Sequence, residues 1–427
     1  MVLKKSTLNT FQRSVLLWND SSPYNAVHVV RIPFSFDLEK LKTVVDAYFF
    51  ENGLTSFHLD RQNHRFSYDG SPASPPIHVL EEKTFTAEAL RNQIENELNT
   101  PFSEEAPIRP FRFFVLRETG GFYLGLTYFH LVSGADSIIH ILKYITARYS
   151  GAVVSSLPLE LYPREREKVL CANFSQFLGW LKDFPARASR VRGAYRHRRH
   201  SEGEGCGYLY LKIGRDEWAS FRTRTQAWKV TMNDLFLAAI LKSFSPAAAE
   251  RHRLPKRKNL SVACIVNTRK DAGLEDPRHF GLFLSAFFVS HEVPEEMTFE
   301  ALARDVYRQT QESKKQKRHL LFNIDQRLAQ VLHPFYQGKH RQNFYSKHHP
   351  LSAGLTNVYL DPIWPANERP AGFDYFRAVS TSPAYPAVFS LTTVDGDLNV
   401  SLSYRRCFFD EKQARALLLR FREEVCR

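Results

Sequence analysis

Strand-like and helix-like segments alternate along this chain, and the alternation occurs twice. In the first half, the β-branched stretch NAVHVVRIPF precedes DLEKLKTVVDAYFF, in which apolar residues recur at helical spacing. In the second half, the strand-like stretches NLSVACIVN and LFLSAFFVSHEV precede the helical stretch TFEALARDVYRQTQESKKQ. No repeat of short period is visible. The pattern predicts an α/β (α+β) chain with two similar lobes, each mixing strands with helices around its own core.

An arginine-rich stretch separates the two halves. It reads PARASRVRGAYRHRRH and is followed by SEGEGCG, whose small and polar residues are typical of a flexible connection. We therefore predict an N-terminal lobe at residues 1–165, a basic linker at 166–205 and a C-terminal lobe at 206–427. A second basic stretch, KKQKRH, is expected to continue the helix before it as a basic, solvent-facing end.

The composition limits the class of protein. An apolar content of 43% supports a sizeable core, and a net charge of +13 favours an acidic partner or simply a basic surface. The five cysteines are far apart and form no CxxC pair, which argues against a disulfide framework and a zinc site. The apolar SVLLW near the start is too short for a signal peptide, and no apolar run approaches the roughly 20 residues of a membrane span. We expect a cytoplasmic protein without a membrane span.

The stretch TYFHLVSGADSII carries the strongest candidate for chemistry. His130 ends a strand-like run, the small residues Ser133, Gly134 and Ala135 follow, and Asp136 lies six residues after the histidine. A neutral imidazole beside small residues could accept a proton from an incoming hydroxyl or amine. The alternative is a buried histidine with a purely structural role, and spacing alone leaves both interpretations open.

Several other kinds of site are excluded or disfavoured by the residues. The closely spaced histidines of RHRRH and KHHP lie among many arginines and lysines, which disfavour a metal cation, so no metal site is predicted. The chain lacks the GxxxxGK[ST] phosphate loop and the GxSxG nucleophile elbow. The stretch Arg187–Arg199 could bind nucleic acid, but it contains one aromatic residue and no recognised motif. Nucleic-acid binding is therefore a third and disfavoured hypothesis.

Taken in order, these elements resemble the condensation domain of nonribosomal peptide synthetases, within the wider superfamily of chloramphenicol acetyltransferase-like acyltransferases. The resemblance runs nearly end to end. It is carried by the opening FQRSVLLWNDSSPYNAVHVVRIPF, by NTPFSEEAPIRPFRFFVLRE before the catalytic strand, by NLSVACIVNTRKD with FGLFLSAFFVSHEV, and by the ending SLTTVDGDLNVSLSYRRCFFDEKQARALL. The resemblance implies two acetyltransferase-like lobes that form a V-shaped pseudo-dimer with a tunnel between them.

The family motif HHxxxDG corresponds to FHLVSGA at residues 129–135. The second, catalytic histidine of the motif is His130, whereas the first histidine is lost and the aspartate falls on Gly134. In the family this aspartate is structural and pairs with an arginine of the second lobe, which Arg269 in VNTR matches. Asp136, two residues downstream, is the candidate to replace it as structural support.

The resemblance implies that an acyl group moves from a thioester to an amine or hydroxyl acceptor, with His130 as general base. The thioester would be borne on the phosphopantetheine of an acidic acyl or peptidyl carrier protein, or of coenzyme A, with no other bound cofactor. Weaker assignments for substrate binding or oxyanion stabilisation are Ser133, Asn357, Ser390 and Thr392. Weaker assignments for carrier docking are Arg190, Arg196, Arg198 and Arg199.

Two functions follow from these observations. The first is a free-standing, monomeric condensation-like acyltransferase of natural-product or lipid biosynthesis, which forms an amide or ester. The second is a catalytically inactive scaffold of the same fold that docks a carrier protein or a partner enzyme. The absence of the motif aspartate counts against the first function and for the second. Without a partner, a buried Arg269 would cost free energy, so either Asp136 replaces the aspartate or the site is no longer catalytic.

Overall fold

The computed structural model describes residues 4–71, 73–80, 86–103, 105, 107–152, 158–163, 174–200, 205–338, 340, 343–382 and 385–427. The chain divides into two compact units. The first unit comprises Met1–Leu170, Thr268–Phe283 and Tyr359–Val379, and the second comprises Cys171–Asn267, Leu284–Val358 and Ser380–Arg427. Segments 268–283 and 359–379 thus belong to the first unit, although the sequence boundaries place them in the C-terminal lobe. Parts of the predicted linker, residues 166–173 and 201–204, lie outside the described residues.

The first unit contains both strands and helices. Its described elements are β1 Lys4–Thr7, α1 Thr10–Asn19, β2 Asn25–Ile32, α2 Leu38–Glu51, β3 Phe57–Asp60, β4 Arg65–Tyr68, β5 Ile77–Val79, α3 Ala87–Asn99, β6 Phe111–Glu118, β7 Gly121–Phe129, α4 Ala135–Tyr149, β8 Glu160–Leu161, β11 His279–Phe280 and β14 Tyr375–Val379.

A five-stranded sheet in the order β14-β2-β7-β6-β5 forms the centre of the first unit. Strands β6 and β7 make the hairpin predicted from RETGG, and Gly120 in its turn has a φ of +80°, which a glycine adopts at little cost. Strand β14, far downstream in sequence, adds to the free edge of β2 in an antiparallel pair. The sheet edge is therefore completed by a segment that no local pattern connects to it.

One face of this sheet changes from apolar to polar across its width. Side chains alternate between the two faces of a strand, so the register places Tyr128, His28 and Arg377 on the same face of β7, β2 and β14. On the same face of β6, Phe113 contacts the ring of Phe49 from α2, with the ring centroids 6.0 Å apart. The apolar part anchors the helices, and the polar part lies at the β2–β14 side.

The second unit also combines a sheet with helices. Its described elements are α5 Phe174–Lys182, α6 Phe184–Gly193, β9 Cys206–Ile213, α7 Ala219–Trp228, α8 Met232–Phe244, β10 Leu260–Asn267, β12 Leu284–His291, α9 Phe299–Lys315, α10 Arg318–Leu332, α11 Phe344–His348, β13 Ala353–Tyr359, β15 Ala387–Val394, β16 Asp397–Arg405 and α12 Glu411–Cys426.

Its sheet has six strands in the order β12-β10-β13-β15-β16-β9. The helices α8 and α12 cover one face, where Leu235, Phe389, Val400 and Phe421 belong to one buried core. Helix α8 is apolar nearly all round, as a helix between a sheet and other helices must be. The β15–β16 hairpin turns at Asp395–Gly396, as the sequence predicts, and both turn residues have positive φ.

One local expectation is wrong. The basic stretch KKQKRH does not continue a single helix, because α9 ends at Lys315 and α10 begins at Arg318. Lys317 between them adopts the left-handed conformation, with a φ of +48°, and this redirects the chain. His319 in the following turn is buried rather than solvent-facing. The prediction of two sheet-containing α/β lobes is nevertheless confirmed. Among the helices that the structure describes, none is long and apolar enough to cross a membrane.

Candidate active site around His130

The end of β7 and the start of α4 position the candidate base. His130 directly follows the last residue of β7, and its backbone N–H donates to the carbonyl of Tyr24 at 3.2 Å, which continues the pairing of β7 with β2. The chain then turns within four residues, and Gly134 becomes the N-cap of α4. The backbone N–H of Gly134 donates to the carbonyl of Gly281 at 3.1 Å. The imidazole is thus held between a sheet edge and a helix start.

The hydrogen bond of the His130 ring determines its tautomer. Nδ1 lies 2.9 Å from the backbone carbonyl oxygen of Ser133, and a carbonyl oxygen can only accept. In the neutral ring the proton therefore resides on Nδ1, and the lone pair resides on Nε2. Nε2 is consequently the atom that could accept a proton from a substrate.

The surroundings of His130 keep the imidazole neutral. The residue is 8% exposed, its ring stacks on Tyr24 with centroids 5.6 Å apart, and the edge of Tyr128 packs against it. Burial lowers the pKa of His130 to about 4, the hydrogen bond to Ser133 opposes this shift, and the positive charge of Arg377 adds to it. Near neutral pH the ring is therefore a free base with its proton fixed on Nδ1.

A buried polar cluster lies next to His130 on the same sheet face. His28 Nδ1 is 2.6 Å from the hydroxyl of Tyr375, and its Nε2 is 3.5 Å from the hydroxyl of Tyr128. Arg377 lies opposite His28 in the β2–β14 register and is buried. Burial, then the charges of Arg377 and His130, hold the pKa of His28 well below its usual value. These side chains give the β2–β14 side of the sheet a hydrogen-bonding surface and one buried positive charge.

Arg269 is held by helix α4 and by its own segment. Its Nε lies 3.5 Å from Asp136 Oδ2, and its Nη2 donates to Ser137 Oγ at 2.8 Å. Its Nη1 donates to the backbone carbonyls of Leu274 and His279. Burial lowers the pKa of Arg269, and the nearby Asp136 carboxylate opposes that shift. The carboxylate of Asp136, which lies two residues after the motif position of the aspartate, is therefore in ion-pair range of Arg269.

The residues at the helix start leave some space. A Cβ added to Gly134 would lie 3.8 Å from the carbonyl oxygen of Gly281, an ordinary van der Waals distance. Gly134 makes no side-chain cap, so α4 begins without the carboxylate that the family motif has at this position. Ser133 is fully buried, and its hydroxyl donates to the carbonyl of Gly134 at 3.0 Å. Ser133 thus contributes its backbone carbonyl to the His130 ring, while its hydroxyl is engaged locally.

Apart from Ser133, the weaker substrate-binding assignments lie in the second unit. Ser390 and Thr392 are buried two residues apart on β15, opposite Ser401 and Asn399 of β16. They lie on the face that points away from the apolar core. Asn357 on β13 donates to the side-chain oxygen of Asn233 at 2.8 Å. Their part in substrate binding stays a prediction.

The four arginines assigned to carrier docking have different surroundings. Arg190 lies 3.2 Å from Asp183, and Arg196 donates to the backbone carbonyl of Lys347 at 2.7 Å. Arg198 and Arg199 are exposed, with Arg198 3.7 Å from Glu250. Arg198 and Arg199 are thus the two accessible to a large acidic partner, and the docking role stays a prediction.

The sequence reasoning missed the residues that surround His130. Tyr24 lies directly before the strand-like NAVHVVRIPF, His28 and Tyr128 lie in stretches interpreted only as strand, and Arg377 lies in a stretch for which no strand is predicted. A usable signal was present, since a histidine within NAVHVV and an arginine within YFRAV interrupt apolar runs of buried strands. Among the described residues, no group of three or more histidine, cysteine, aspartate or glutamate side chains is placed to hold a metal ion.

No family model and no curated protein matches the sequence. Solved structures do match, over nearly the whole chain. The epimerization domain of the third module of tyrocidine synthetase B is 13% identical, with a TM-score of 0.67 and coverage of 100% of this chain and 96% of that one. The condensation domain of the monacolin K polyketide synthase MokA is 10% identical, with a TM-score of 0.70 and coverage of 100% and 97%.

The X-domain of teicoplanin biosynthesis is 17% identical, with a TM-score of 0.65 and coverage of 98% and 94%, and the X-domain in its complex with OxyB also matches. At these identities the likeness concerns the fold. This chain therefore has the fold shared by the condensation, epimerization and X-domains of peptide and polyketide synthetases.

Proposed function

We propose that the protein is a condensation-type acyltransferase in which His130 takes the proton from an amine or hydroxyl acceptor. The observation that carries the proposal is the 2.9 Å contact from His130 Nδ1 to the Ser133 carbonyl, which leaves the lone pair on Nε2. The stacked ring of Tyr24 and the edge of Tyr128 fix the plane of the imidazole. A base whose tautomer and orientation are set in advance loses little entropy when the acceptor arrives.

In the proposed reaction, His130 Nε2 first accepts the proton of the acceptor and then donates it to the leaving group. As the acceptor attacks the thioester carbonyl carbon, its proton passes to His130 Nε2, and a tetrahedral oxyanion forms. The intermediate then collapses, the carbon–sulfur bond breaks, and the thiolate takes the proton back to leave as a thiol. With a pKa of about 4, the His130 imidazolium is a better proton donor than an ordinary imidazolium, which favours protonation of the leaving thiolate. The same low pKa requires the acceptor to lose its proton in concert with bond formation.

The ion pair of Asp136 with Arg269 has a supporting part in the proposal. Asp136 lies in the first turn of α4, and that helix starts five residues after His130. Arg269 ties this turn to the carbonyls of Leu274 and His279 at 3.2 and 2.7 Å. Fixing the helix start also fixes the turn that supplies the Ser133 carbonyl. Asp136 would thereby perform the task of the motif aspartate from a position two residues later.

The direct experiment replaces the base. With an acyl-loaded carrier protein or acyl-coenzyme A and a panel of amines and alcohols, His130→Ala is expected to lower product formation by about two to four orders of magnitude. His58→Ala, in a half-exposed pair with Asp69, is the control and should keep wild-type rates. Equal rates for His130→Ala and wild type would remove His130 as the base, provided that both fold with the same melting temperature.

A non-catalytic scaffold is the second candidate. It is favoured by Gly134 in place of the motif aspartate and by the likeness to the X-domain, which is known in complex with the enzyme OxyB. In this case a carrier or partner enzyme binds equally well to wild type and to His130→Ala. No acceptor then gives turnover with the wild-type protein.

Variants that remove positive charge test partner binding, whether the protein is an acyltransferase or a scaffold. The net charge of +13 and the exposed Arg198 and Arg199 support docking of an acidic carrier protein. The double variant Arg198→Gln/Arg199→Gln should weaken carrier binding and reduce its salt dependence. Arg304→Gln/Arg308→Gln on the exposed side of α9 removes the same charge elsewhere and serves as the control.

A further inference from the structure

A cavity of about 350 Å³ that is open to solvent lies within the second unit, and helices α5, α6 and α10 and strand β12 contribute to its lining. It shares no residue with the site around His130. Most of its wall is apolar, and its apolar lining includes Ala286, Phe288, Leu321, Phe322, Ala329 and Leu351. This volume is at the lower end of the range of small-ligand pockets, which is roughly 300–1,000 Å³. The cavity is large enough for an apolar chain or ring system and too small for a folded partner.

The wall also carries charge of predominantly one sign. Four arginines and two aspartates line the cavity; these are Arg187, Arg190, Arg192, Arg318, Asp183 and Asp325. The two carboxylates are shared among three of the cations. Asp325 lies 3.5 Å from Arg187, and Asp183 lies 3.2 Å from Arg190 and 3.6 Å from Arg318. Arg318 also pairs with Glu312, which lies outside the lining, at 2.8 Å. Four arginines therefore face three carboxylates, and a surplus of one positive charge remains.

Two of these arginines have donors that the described residues do not satisfy. Nε of Arg318 and Nη1 of Arg187 are buried without a hydrogen-bond acceptor in the described part of the chain, although the latter atom is in ion-pair range of Asp325. The guanidinium of Arg187 also stacks on Trp180, with its central carbon 4.3 Å from the ring centroid. Burial, and then the charge of Arg318, lower the pKa of Arg190. Crowded cations with unused donors favour the entry of an anion.

The rim of the cavity offers an apolar entrance. Phe184, Leu328 and Leu332 line the cavity and are 52%, 44% and 38% exposed. Large apolar side chains that are half in solvent and half in a cavity wall are typical of a ligand-binding opening. An apolar tail that enters beside these three residues would therefore meet apolar side chains at the opening.

We propose that this cavity binds a small amphipathic carboxylate, a medium-chain fatty acid in its simplest form. The apolar chain lies against the wall between β12 and α10, and the carboxylate pairs with Arg187, Arg190 and Arg318. A bidentate arginine–carboxylate pair is the strongest contact that these groups can make. The site is additional to the acyl-transfer site and is independent of its activity.

Titration calorimetry of the full chain with decanoate tests the site. The matched pair of variants is Ala188→Phe, which fills the cavity from α6, and Ala186→Phe, which adds the same ring to an exposed position of that helix outside the lining. We expect saturable binding to wild type and to Ala186→Phe, and at least tenfold weaker binding to Ala188→Phe. Equal binding to both variants, or no saturable binding to wild type, would overturn the proposal.

A second pair of measurements tests the pairing of the ligand carboxylate with arginine. It does not require a variant that fills the cavity. Arg190→Gln changes a side chain that is 34% exposed, and it should weaken decanoate binding about tenfold while changing decanol binding less than twofold. Arg198→Gln, whose side chain is 71% exposed and lies outside the lining, should change neither. If decanol binds wild type as tightly as decanoate, the carboxylate assignment is wrong. If the protein associates with phosphatidylcholine vesicles but binds no monomeric decanoate, the apolar rim is a membrane surface and the ligand site is wrong.

Discussion

Arg251 in the second unit and Arg269 in the first unit are both buried, donate to backbone carbonyls and pair with a carboxylate, but the two arginines stabilise different things. In the second unit, Arg251 is fully buried, donates to the carbonyls of Ser245 and Ala248, and pairs with Glu295. In the first unit, Arg269 has the same kind of partners, yet its carboxylate, Asp136, begins the helix that follows His130.

The two ion pairs differ in the segment that carries the carboxylate. Glu295 lies in a short helical turn after β12, so the Arg251 pair fastens a loop to the end of a helix. Asp136 lies six residues from the candidate base, so the Arg269 pair fastens the candidate site itself. The same buried chemistry is therefore structural in one unit and, under the proposal, functional in the other.

The largest expected effect comes from removing each arginine. Arg269→Met and Arg251→Met should each lower the free energy of unfolding by about 3 kcal/mol, because each leaves a carboxylate and carbonyls without their cation. The carboxylates Asp136 and Glu295 are 27% and 32% exposed, which keeps the loss at the lower end for buried pairs. Denaturant unfolding measures both losses.

Activity then separates the two variants. Per folded molecule, Arg269→Met should lose more than tenfold in acyl transfer, and Arg251→Met should keep the wild-type rate. Similar losses of rate in both would mean that Arg269 contributes only stability.

The next effect is a fall in the free energy of unfolding as the pH is lowered, to which one buried histidine in each unit should contribute. Burial lowers the pKa of His130 to about 4 and that of His197, in the second unit, to about 3. The unfolded chain therefore binds protons below pH 6.5 that the folded chain does not, and stability falls as the pH falls. For His130 the loss between pH 6.5 and 4 is about 3 kcal/mol.

His130→Gln and His197→Gln should each flatten the dependence of unfolding free energy on pH in this window. The measurement is a series of urea unfolding curves from pH 7 to pH 4. A wild-type slope that survives in His130→Gln would show that the imidazole titrates at an ordinary pKa and is not buried in solution.

A smaller effect is expected for the charge on the supporting carboxylate. Asp136→Asn keeps the shape of the side chain and removes its charge, so it should cost about 1 kcal/mol in stability, since the pair is 3.5 Å long and partly exposed. The rate of acyl transfer should fall more than it does for Glu295→Gln, which changes the equivalent pair of the second unit. A rate equal to wild type in Asp136→Asn would contradict the supporting role of this carboxylate.

The smallest effect concerns the position of the lost motif aspartate. Gly134→Asp places a carboxylate at the N-cap of α4, where a Cβ has room, so it should stabilise by at most a few tenths of a kcal/mol. If Asp136 has taken over the supporting role, the acyl-transfer rate changes less than twofold. A gain of more than tenfold would instead show that the missing aspartate limits the site. Gly134→Ala adds the Cβ without the carboxylate and is the control.

Much of the fold follows from local patterns. The β-branched content of NAVHVVRIPF locates β2, helical spacing locates helices such as α4, and the two hairpins are marked by their turn residues. The likeness in order and spacing to condensation domains predicted two sheet-containing lobes, which the structure has. The break between α9 and α10 was missed because nothing in KKQKRH signals that Lys317 adopts positive φ.

The candidate site was predictable in part. His130 and the pairing of Asp136 with Arg269 could be named because the resemblance supplies the motif register and the matching arginine, although the ion pair joins residues far apart in sequence. The cluster of His28, Tyr375 and Arg377 could not, because it exists only where β14 joins the edge of β2. The same holds for the cavity of the second unit, whose arginines were interpreted as a basic linker or helix face.

The amino-acid order specifies the elements of this protein, its alternating sheet faces and the histidine at the end of β7, because these depend on neighbours a few residues apart. The tertiary structure decides which charges meet. Segments 268–283 and 359–379 join the first unit across long stretches of chain and bring Arg269 to Asp136 and Arg377 to His28. The physical reason is that burial and ion pairing depend on distance in space, which the pattern along a strand or helix does not contain.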